Sequence, residues 1–223
     1  PGRFIQSVSE SSFDAWIKFY RQDENSNNAG TSYYNKGCLV ALCLDLGLRL
    51  RGSNLDALMR RLYENSQKGI QVNERTIFEL CKELTGDDWT EQINHLINTT
   101  DELPLDQLFP EFGLSYSLKN DKAMPFGLKV VEKPEGVVIQ QARRDGAGVQ
   151  AGLSANDVIV AIDGLKASEK LLTTYAKQQG RFTVYAFRRD EFIQFELQGV
   201  EIDLTTVELN VVDQAQAEKW LKA

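Results

Sequence analysis

The chain has 223 residues, of which 42% are apolar and 26% are charged, a balance typical of a globular protein with one large or two modest domains. Its net charge of −7 argues against a nucleic-acid partner, because binding to phosphates requires a basic face. No run of apolar residues is long enough to span a bilayer.

Apolar residues recur at helical spacing through the first 103 residues. The first helix is predicted to begin at the N-cap pair Ser11–Ser12, and its apolar face comprises Phe13, Trp16, Ile17 and Tyr20. After a polar loop at 23–30, a buried helix is predicted from Ser32 to Arg51 because its centre is apolar almost all round. Shorter helices are predicted to begin near Asn54, Asn73 and Asp87. The polar segment 98–104 ends in proline, so we predict a domain boundary at residue 103.

From residue 104 the pattern changes to short segments rich in β-branched and aromatic residues, which predict strands. We expect strands at 114–118, 127–131, 137–140, 158–162, 182–187 and 192–197, and a helix at 168–177. The chain is therefore predicted to be α+β. An all-α subdomain at 1–103 precedes a β-sandwich or partly open barrel with two helices at 104–200, and 201–223 form a strand and helix tail.

Residues 151–164 read A-G-L-S-A-N-D-V-I-V-A-I-D-G, in which a turn of small residues leads into an apolar strand. With the strands and helices around it, this segment resembles the PDZ domains of the bacterial, circularly permuted kind, over residues 112–199. Asn156 stands where that family usually has glycine, and Asn tolerates the positive φ that such a turn requires. The resemblance implies a domain that binds an extended peptide by adding it as a strand to the sheet edge.

The PDZ resemblance also implies a loop of the pattern apolar-Gly-apolar, whose N–H groups hold the carboxylate of a peptide C-terminus. The best match is Phe126-Gly127-Leu128, which leads into Lys129, and Gly127 is expected to let the loop turn its amides outward. Phe126 and Leu128 would line an apolar pocket together with Leu171, Leu172 and Tyr175. Phe112-Gly113-Leu114 ranks second because it starts the first strand. The alternative, that these residues serve only a bulge and the core, stays open.

The helical half carries Ser32-Tyr33-Tyr34-Asn35-Lys36-Gly37, preceded by S-S-F-D-A-W-I-K-F-Y-R at 11–21. With D-E-N-S at 23–26 and the closing Trp220-Leu221, these segments resemble the C-terminal part of glycyl-aminopeptidase-type zinc metallopeptidases. Those proteins have a thermolysin-like catalytic domain followed by a PDZ domain. The resemblance implies that Tyr34, with Tyr33 as the fallback, stabilises the oxyanion of the tetrahedral intermediate. Local packing of both tyrosines at a helix start is the alternative.

The zinc motif of that family, H-E-x-x-H, is absent from this sequence, in which His95 is the only histidine. The resemblance places the motif and a later glutamate ligand before Pro1, so zinc is implied for the intact protein and no cofactor or metal site is expected in this chain. Cys38 and Cys43 face different directions on one helix and are expected to be core thiols. We therefore expect no peptidase activity from this chain alone.

Two hypotheses follow for the function of the chain. The first is the C-terminal part of a zinc aminopeptidase that acts on peptides with a small first residue, its partners being the rest of the catalytic domain and a peptide or protein C-terminus at the PDZ groove. The alternative is a non-catalytic adaptor with a helical interaction domain and a peptide-binding PDZ domain. A PDZ-like unit that only braces its neighbour is a third reading. With no visible signal peptide and three cysteines, the compartment stays open between the cytoplasm and periplasm of a bacterial-type protein.

Overall fold

The computed structural model describes residues 1–178, 180–199 and 201–221, with side chains for all of these except residues 121–123 and 203. The fold is α+β, as the sequence predicted. The helices are α1 Val8–Phe13, α2 Ser26–Ala29, α3 Tyr33–Arg49, α4 Leu55–Gln67, α5 Glu74–Thr85, α6 Thr90–Asn98, α7 Leu105–Glu111, α8 Ala147–Gln150, α9 Glu169–Lys177 and α10 Gln214–Leu221. The strands are β1 Leu114–Pro125, β2 Leu128–Lys133, β3 Gly136–Ala142, β4 Val158–Ile162, β5 Leu165–Lys166, β6 Arg181–Arg188, β7 Glu191–Gln198 and β8 Glu201–Val211. Among the described residues, no helix is both long and apolar enough to cross a membrane.

The chain forms two compact units, each assembled from several stretches of sequence. The helical unit comprises Gln6–Ile17, Thr31–Ser117 and Glu208–Ala223. The sheet unit comprises Pro1–Ile5, Lys18–Gly30 and Leu118–Val207. The division into domains at 1–103, 104–200 and 201–223 stays a prediction.

Local sequence signals set the limits of most helices in the helical unit. The side-chain oxygens of Ser32, Asn54 and Asn73 accept hydrogen bonds from backbone N–H groups in the first turns of α3, α4 and α5. Gly86 ends α5, as its position in the sequence indicated. The predicted starts of these three helices are therefore confirmed.

Two apolar clusters form the core of the helical unit, and α3 contributes to both. Cys43 and Leu46 belong to the first cluster, together with Leu96, Leu105, Phe109, Phe112, Leu114 and Ala217. Leu48 belongs to the second, together with Leu58, Leu80, Cys81, Trp89 and Ile93. The C-terminal half of α3 is buried for this reason, whereas Cys38 and Leu39 in its N-terminal half are exposed. The prediction of a core thiol is therefore wrong for Cys38.

The first helix differs from its prediction in both its start and its surroundings. It begins at Val8 because Ser7 and Glu10 form a capping box, in which the Ser7 N–H donates to the Glu10 carboxylate at 2.9 Å. A π-helical stretch, Ala15–Phe19, follows α1. Phe13 is 90% exposed and Trp16 is 80% exposed, so the face predicted from its apolar spacing faces solvent in this chain.

In the described part of the sheet unit, six strands form one sheet, and each neighbouring pair is antiparallel. The strand order is β2-β3-β4-β6-β7, and the short β5 also pairs with β4. Strands β1 and β8 pair with each other in a separate two-stranded sheet. Within the described residues β2 pairs only with β3, which leaves one edge of the sheet open.

The core of the sheet unit lies between its strands and α9. Its buried members include Phe126, Leu128, Ile139, Ile159, Leu172, Val184 and Leu197. The turn before β4 contains Asn156 at a φ of 71°, in the left-handed conformation that the sequence predicted for this position.

Candidate peptide-binding edge and tyrosine pair

The start of β2 directs backbone groups away from its neighbour β3. The Arg143 N–H donates to the Gly127 C=O at 2.8 Å, next to the Leu128–Ala142 pair. In an antiparallel ladder this bond marks a pair that exchanges no hydrogen bonds of its own. The N–H and C=O of Leu128 therefore point to the open edge of the sheet.

The same alternation continues along β2. Ile139, the partner of Val130, directs its hydrogen bonds to the other side of β3: its N–H donates to the Asp157 C=O at 2.9 Å and its C=O accepts from Asn156 N–H at 2.8 Å. Val130 therefore also presents its backbone groups to the open edge, and Glu132, two residues further, does the same. Leu128, Val130 and Glu132 form the repeating set of donors and acceptors that an added strand requires.

Helix α9 lies against β2 and forms a second wall beside the open edge. The Glu169 N–H at the start of α9 donates to the Glu132 carboxylate at 2.6 Å, which places the helix N-terminus at the end of β2. Leu171 and Tyr175 are partly buried and pack against the same apolar cluster as Val130. The structure thus brings a row of outward backbone groups next to an apolar helix face.

The loop before β2 is built around Gly127, which has a φ of 71°. A Cβ at this position would lie 2.7 Å from the Gly146 Cα and 2.9 Å from the Ile202 Cδ1, so only glycine fits without displacement. The Gly127 N–H donates to the Met124 C=O at 3.1 Å. The Leu128 amide, rather than that of Gly127, is therefore the loop donor directed to the open edge.

The residues predicted to form the peptide site lie close together in the sheet unit. Phe126, Leu128 and Leu172 are buried in its core, Leu171 and Tyr175 are partly buried against it, and Lys129 is exposed on β2. Phe126 thus anchors the loop in the core rather than presenting its ring at the surface. The second-ranked match, Phe112-Gly113-Leu114, lies in the helical unit. The role of these residues in binding stays a prediction.

Asn28 lies in the segment predicted to be a polar loop, and its contacts were not predicted. The Asn28 Nδ2 donates to the Ala142 C=O at 2.7 Å, and its Oδ1 accepts from the Arg144 N–H at 3.0 Å. Asn28 is 6% exposed. Both contacts span more than one hundred residues of sequence, so no local pattern indicates them.

The two candidate tyrosines begin α3, directly after the N-cap Ser32. Their rings stack with centroids 4.3 Å apart and an interplanar angle of 29°. Tyr34 is 56% exposed, whereas Tyr33 is half-buried. The Tyr34 ring is therefore accessible at the surface of the helical unit, and its role as an oxyanion donor stays a prediction.

The described part of the chain does not fit a zinc site, since no three His, Cys, Asp or Glu side chains in it are placed to hold a metal ion. His95 is exposed, and its Nε2 lies 3.6 Å from a carboxylate oxygen of Asp101. Burial raises the pKa of the Cys43 and Cys81 thiols to about 11, which disfavours the thiolate that binds metals.

Residues 1–40 match the family model of the M61 glycyl aminopeptidases. An aminopeptidase N family protein from Idiomarina loihiensis is 33% identical to this chain, with a TM-score of 0.84 over 99% of this chain and 41% of that chain. This chain therefore spans less than half the length of that relative. None of the curated proteins matches the sequence.

Two peptide complexes have a lower similarity to the chain. The HtrA3 PDZ domain bound to a phage-derived ligand is 15% identical, with a TM-score of 0.30 over 43% of this chain and 93% of that chain. The HtrA-type protease AlgW with a decapeptide is 20% identical, with a TM-score of 0.32 over 37% of this chain and 30% of that chain.

Proposed function

We propose that this chain is the C-terminal part of an M61-type peptidase, that it completes a zinc-dependent aminopeptidase, and that it carries that enzyme's peptide-binding domain. The intact enzyme hydrolyses the bond after a small first residue such as glycine or alanine. The observation that carries this proposal is the similarity to the aminopeptidase N family protein, with a TM-score of 0.84 over 99% of this chain.

Tyr34 is the residue of this chain that we assign to the reaction. Its hydroxyl donates a hydrogen bond to the oxygen of the scissile carbonyl as negative charge develops there. A fixed donor of this kind contributes about 3 kcal/mol to stabilising the transition state. Zinc, which the rest of the peptidase would hold, would supply an activated water and polarise the carbonyl. The exposure of Tyr34 at the start of α3 supports this assignment.

The exposed face of the first helix supports contact with the rest of the peptidase. Phe13 at the end of α1 is 90% exposed, and Trp16 and Ile17 in the π-helical stretch that follows are 80% and 68% exposed. Exposed apolar patches mark interaction sites. They lie within the residues that match the peptidase family, and the similar aminopeptidase N family protein is more than twice as long as this chain. We assign the remaining part of the catalytic domain to this face.

The groove between the open edge of β2 and α9 binds a peptide C-terminus in this proposal. The peptide adds as a strand along Leu128, Val130 and Glu132, and the Leu128 N–H receives its carboxylate. Its last side chain packs against Leu171 and Tyr175, which contact the same apolar cluster as Val130. Binding of this C-terminus recruits the protein that carries it to the enzyme or positions that protein on it.

A hydrolysis assay tests the enzymatic half of the proposal. The longer protein, which includes the catalytic part, is expected to release the chromophore from glycyl and alanyl p-nitroanilides, to lose activity on chelation and to regain it with zinc. This chain alone is expected to remain at the blank rate. Turnover by this chain alone contradicts the proposal. A longer protein that binds peptides without hydrolysis favours the adaptor.

Peptide titration tests the binding half. Decapeptides that end in valine, with a free or an amidated C-terminus, are added to the isotope-labelled chain while amide signals are recorded. The free acid is expected to shift the signals of Leu128, Val130 and Glu132, and the amidated peptide is expected to bind at least about tenfold more weakly. Unchanged signals at all three residues rule out the groove.

A further inference from the structure

We propose that Asn28 is a positioning residue of the peptide-binding loop, which it acts on through residues 142–144. The inference rests on the proposed binding of a peptide at the open edge of β2. It assigns a role in that site to a residue far outside the segment that resembles a PDZ domain.

The Asn28 side chain takes the place of a neighbouring strand. It donates from Nδ2 to the Ala142 C=O at 2.7 Å and accepts at Oδ1 from the Arg144 N–H at 3.0 Å. A residue in an adjacent parallel strand forms the same pair of bonds: it donates to the C=O of one residue and accepts from the N–H two residues further along. A further bond from Nδ2 to the Asn25 Oδ1 at 3.1 Å orients the carboxamide. Asn28 is buried, so water does not readily replace these bonds.

Arg143 lies between the two residues that Asn28 contacts, and its backbone is hydrogen-bonded to the binding loop. The Arg143 N–H donates to the Gly127 C=O at 2.8 Å, and the Gly146 N–H donates to the Arg143 C=O at 2.9 Å. The Gly146 Cα in turn lies 2.7 Å from the position that a Gly127 Cβ would occupy. A shift of residues 142–144 therefore displaces Gly127, and with it the Leu128 amide that faces the open edge.

Asn28 and residues 142–144 belong to the same compact unit. Lys18–Gly30 and Leu118–Val207 both lie in the sheet unit. Asn27 forms an exposed side-chain hydrogen bond, from its Nδ2 to the Gln141 Oε1 at 2.7 Å, which involves none of residues 142–144. The peptide-binding module therefore includes residues of the 23–30 loop in addition to those at 104–200.

The test compares Asn28→Ala with Asn27→Ala in the full 223-residue chain, with the free-acid decapeptide ending in valine as probe. Asn28→Ala removes two part-buried hydrogen bonds to the backbone of residues 142 and 144, so we expect about tenfold weaker binding. In the unbound protein the amide signals of Arg144, Gly127 and Leu128 are expected to shift and to exchange faster with solvent. Asn27→Ala loses only an exposed side-chain contact and is expected to change affinity by less than about twofold.

A third variant separates positioning from a general loss of stability. Val184 is fully buried in β6, which β3 and β4 separate from β2 in the sheet, so Val184→Ala weakens the same core without removing a hydrogen bond of residues 142–144. If Asn28→Ala reduces affinity no more than Val184→Ala does at equal loss of stability, the proposal is overturned.

The outcomes distinguish this inference from the proposed function. If the unaltered chain binds no peptide, the proposed binding fails, and the amide signals of unbound Asn28→Ala still decide whether Asn28 positions the loop. Signals of Gly127 and Leu128 that match those of the unaltered chain overturn the inference whatever the affinities are.

Discussion

Arg188 holds the buried carboxylate of Asp157 through two hydrogen bonds, from Nε at 2.8 Å and from Nη2 at 2.7 Å. The Ser154 N–H donates a third bond to this carboxylate at 2.8 Å. The Arg188 Nη2 also donates to the Gly152 C=O at 2.6 Å. The hydrogen bond with Asp157 raises the pKa of Arg188, and the pair joins the turn after α8 to the end of β6.

Arg188→Met is expected to lower the free energy of unfolding by about 3 kcal/mol, because it leaves the Asp157 carboxylate buried without its cation. Urea denaturation followed by circular dichroism measures this change. The double variant, Arg188→Met with Asp157→Asn, should lower the free energy of unfolding by less than the sum of the two single variants. A loss below about 0.5 kcal/mol for Arg188→Met, as for an exposed ion pair, contradicts the prediction.

Gly127→Ala is expected to destabilise the chain more than Gly164→Ala. Both glycines have positive φ, 71° and 78°, so both substitutions incur a similar backbone strain of about 1 kcal/mol. A Cβ at Gly164 meets nothing within 4 Å, whereas one at Gly127 meets Gly146 and Ile202. Urea denaturation of both variants isolates the effect of crowding. Equal losses would show that the loop moves aside without cost.

The three cysteines are expected to differ in their reaction with iodoacetamide. Burial raises the pKa of Cys43 and Cys81 to about 11, so at about pH 8 only about one thiol in a thousand is ionised. Cys38 is exposed and should be alkylated first. Mass spectrometry of peptides from the folded chain measures the order. Labelling of Cys43 or Cys81 as fast as Cys38 contradicts it, and the denatured chain, in which all three should react, is the control.

Tyr34→Phe in the longer, catalytically complete protein is expected to lower kcat by about a hundredfold or more with little change in KM, because the hydroxyl acts only as charge develops. Tyr33→Phe keeps the stacked ring and serves as the matched control, with kcat expected within about threefold of the unaltered enzyme. Steady-state kinetics on a glycyl substrate decides between them. A large loss with Tyr33→Phe alone would transfer the role to the fallback tyrosine.

Phe13→Ser combined with Trp16→Ser is expected to change the stability of this chain by no more than about 0.5 kcal/mol, because both side chains are exposed. In the longer protein the same two substitutions should lower the free energy of unfolding by about 3 kcal/mol or more if the catalytic part covers these side chains. Thermal and urea denaturation of both proteins measure this difference. Leu46→Ala, at a fully buried position, should destabilise both proteins and is the control.

Sequence patterns predicted the structure best where local hydrogen bonds decide it. Ser32, Asn54 and Asn73 cap helices within a few residues of themselves, so their starts were predictable. The first helix was predicted less well, because the spacing of Phe13 and Trp16 identifies an apolar face but not what covers it. The pairing of β1 with β8 was also missed, since it joins segments far apart in the chain.

The candidate peptide site was predictable only in part. Phe126, Leu128 and the apolar residues of α9 follow a pattern that the sequence can show, and all of them belong to or pack against one apolar cluster. Which amide faces the open edge depends on the register of β2 with β3, and this register fits no short motif. The contact from Asn28 to Ala142 spans 114 residues and depends on tertiary packing alone.

The unpaired edge of β2 has a consequence for self-association. An exposed strand edge is a template for uncontrolled aggregation between copies, and charged residues on such edges discourage it. β2 carries Lys129, Glu132 and Lys133 among its six residues. Pairing the β2 strands of two copies would bring these charged side chains together and partly desolvate them. The same edge can thus bind a short extended peptide while pairing between copies of the chain is disfavoured.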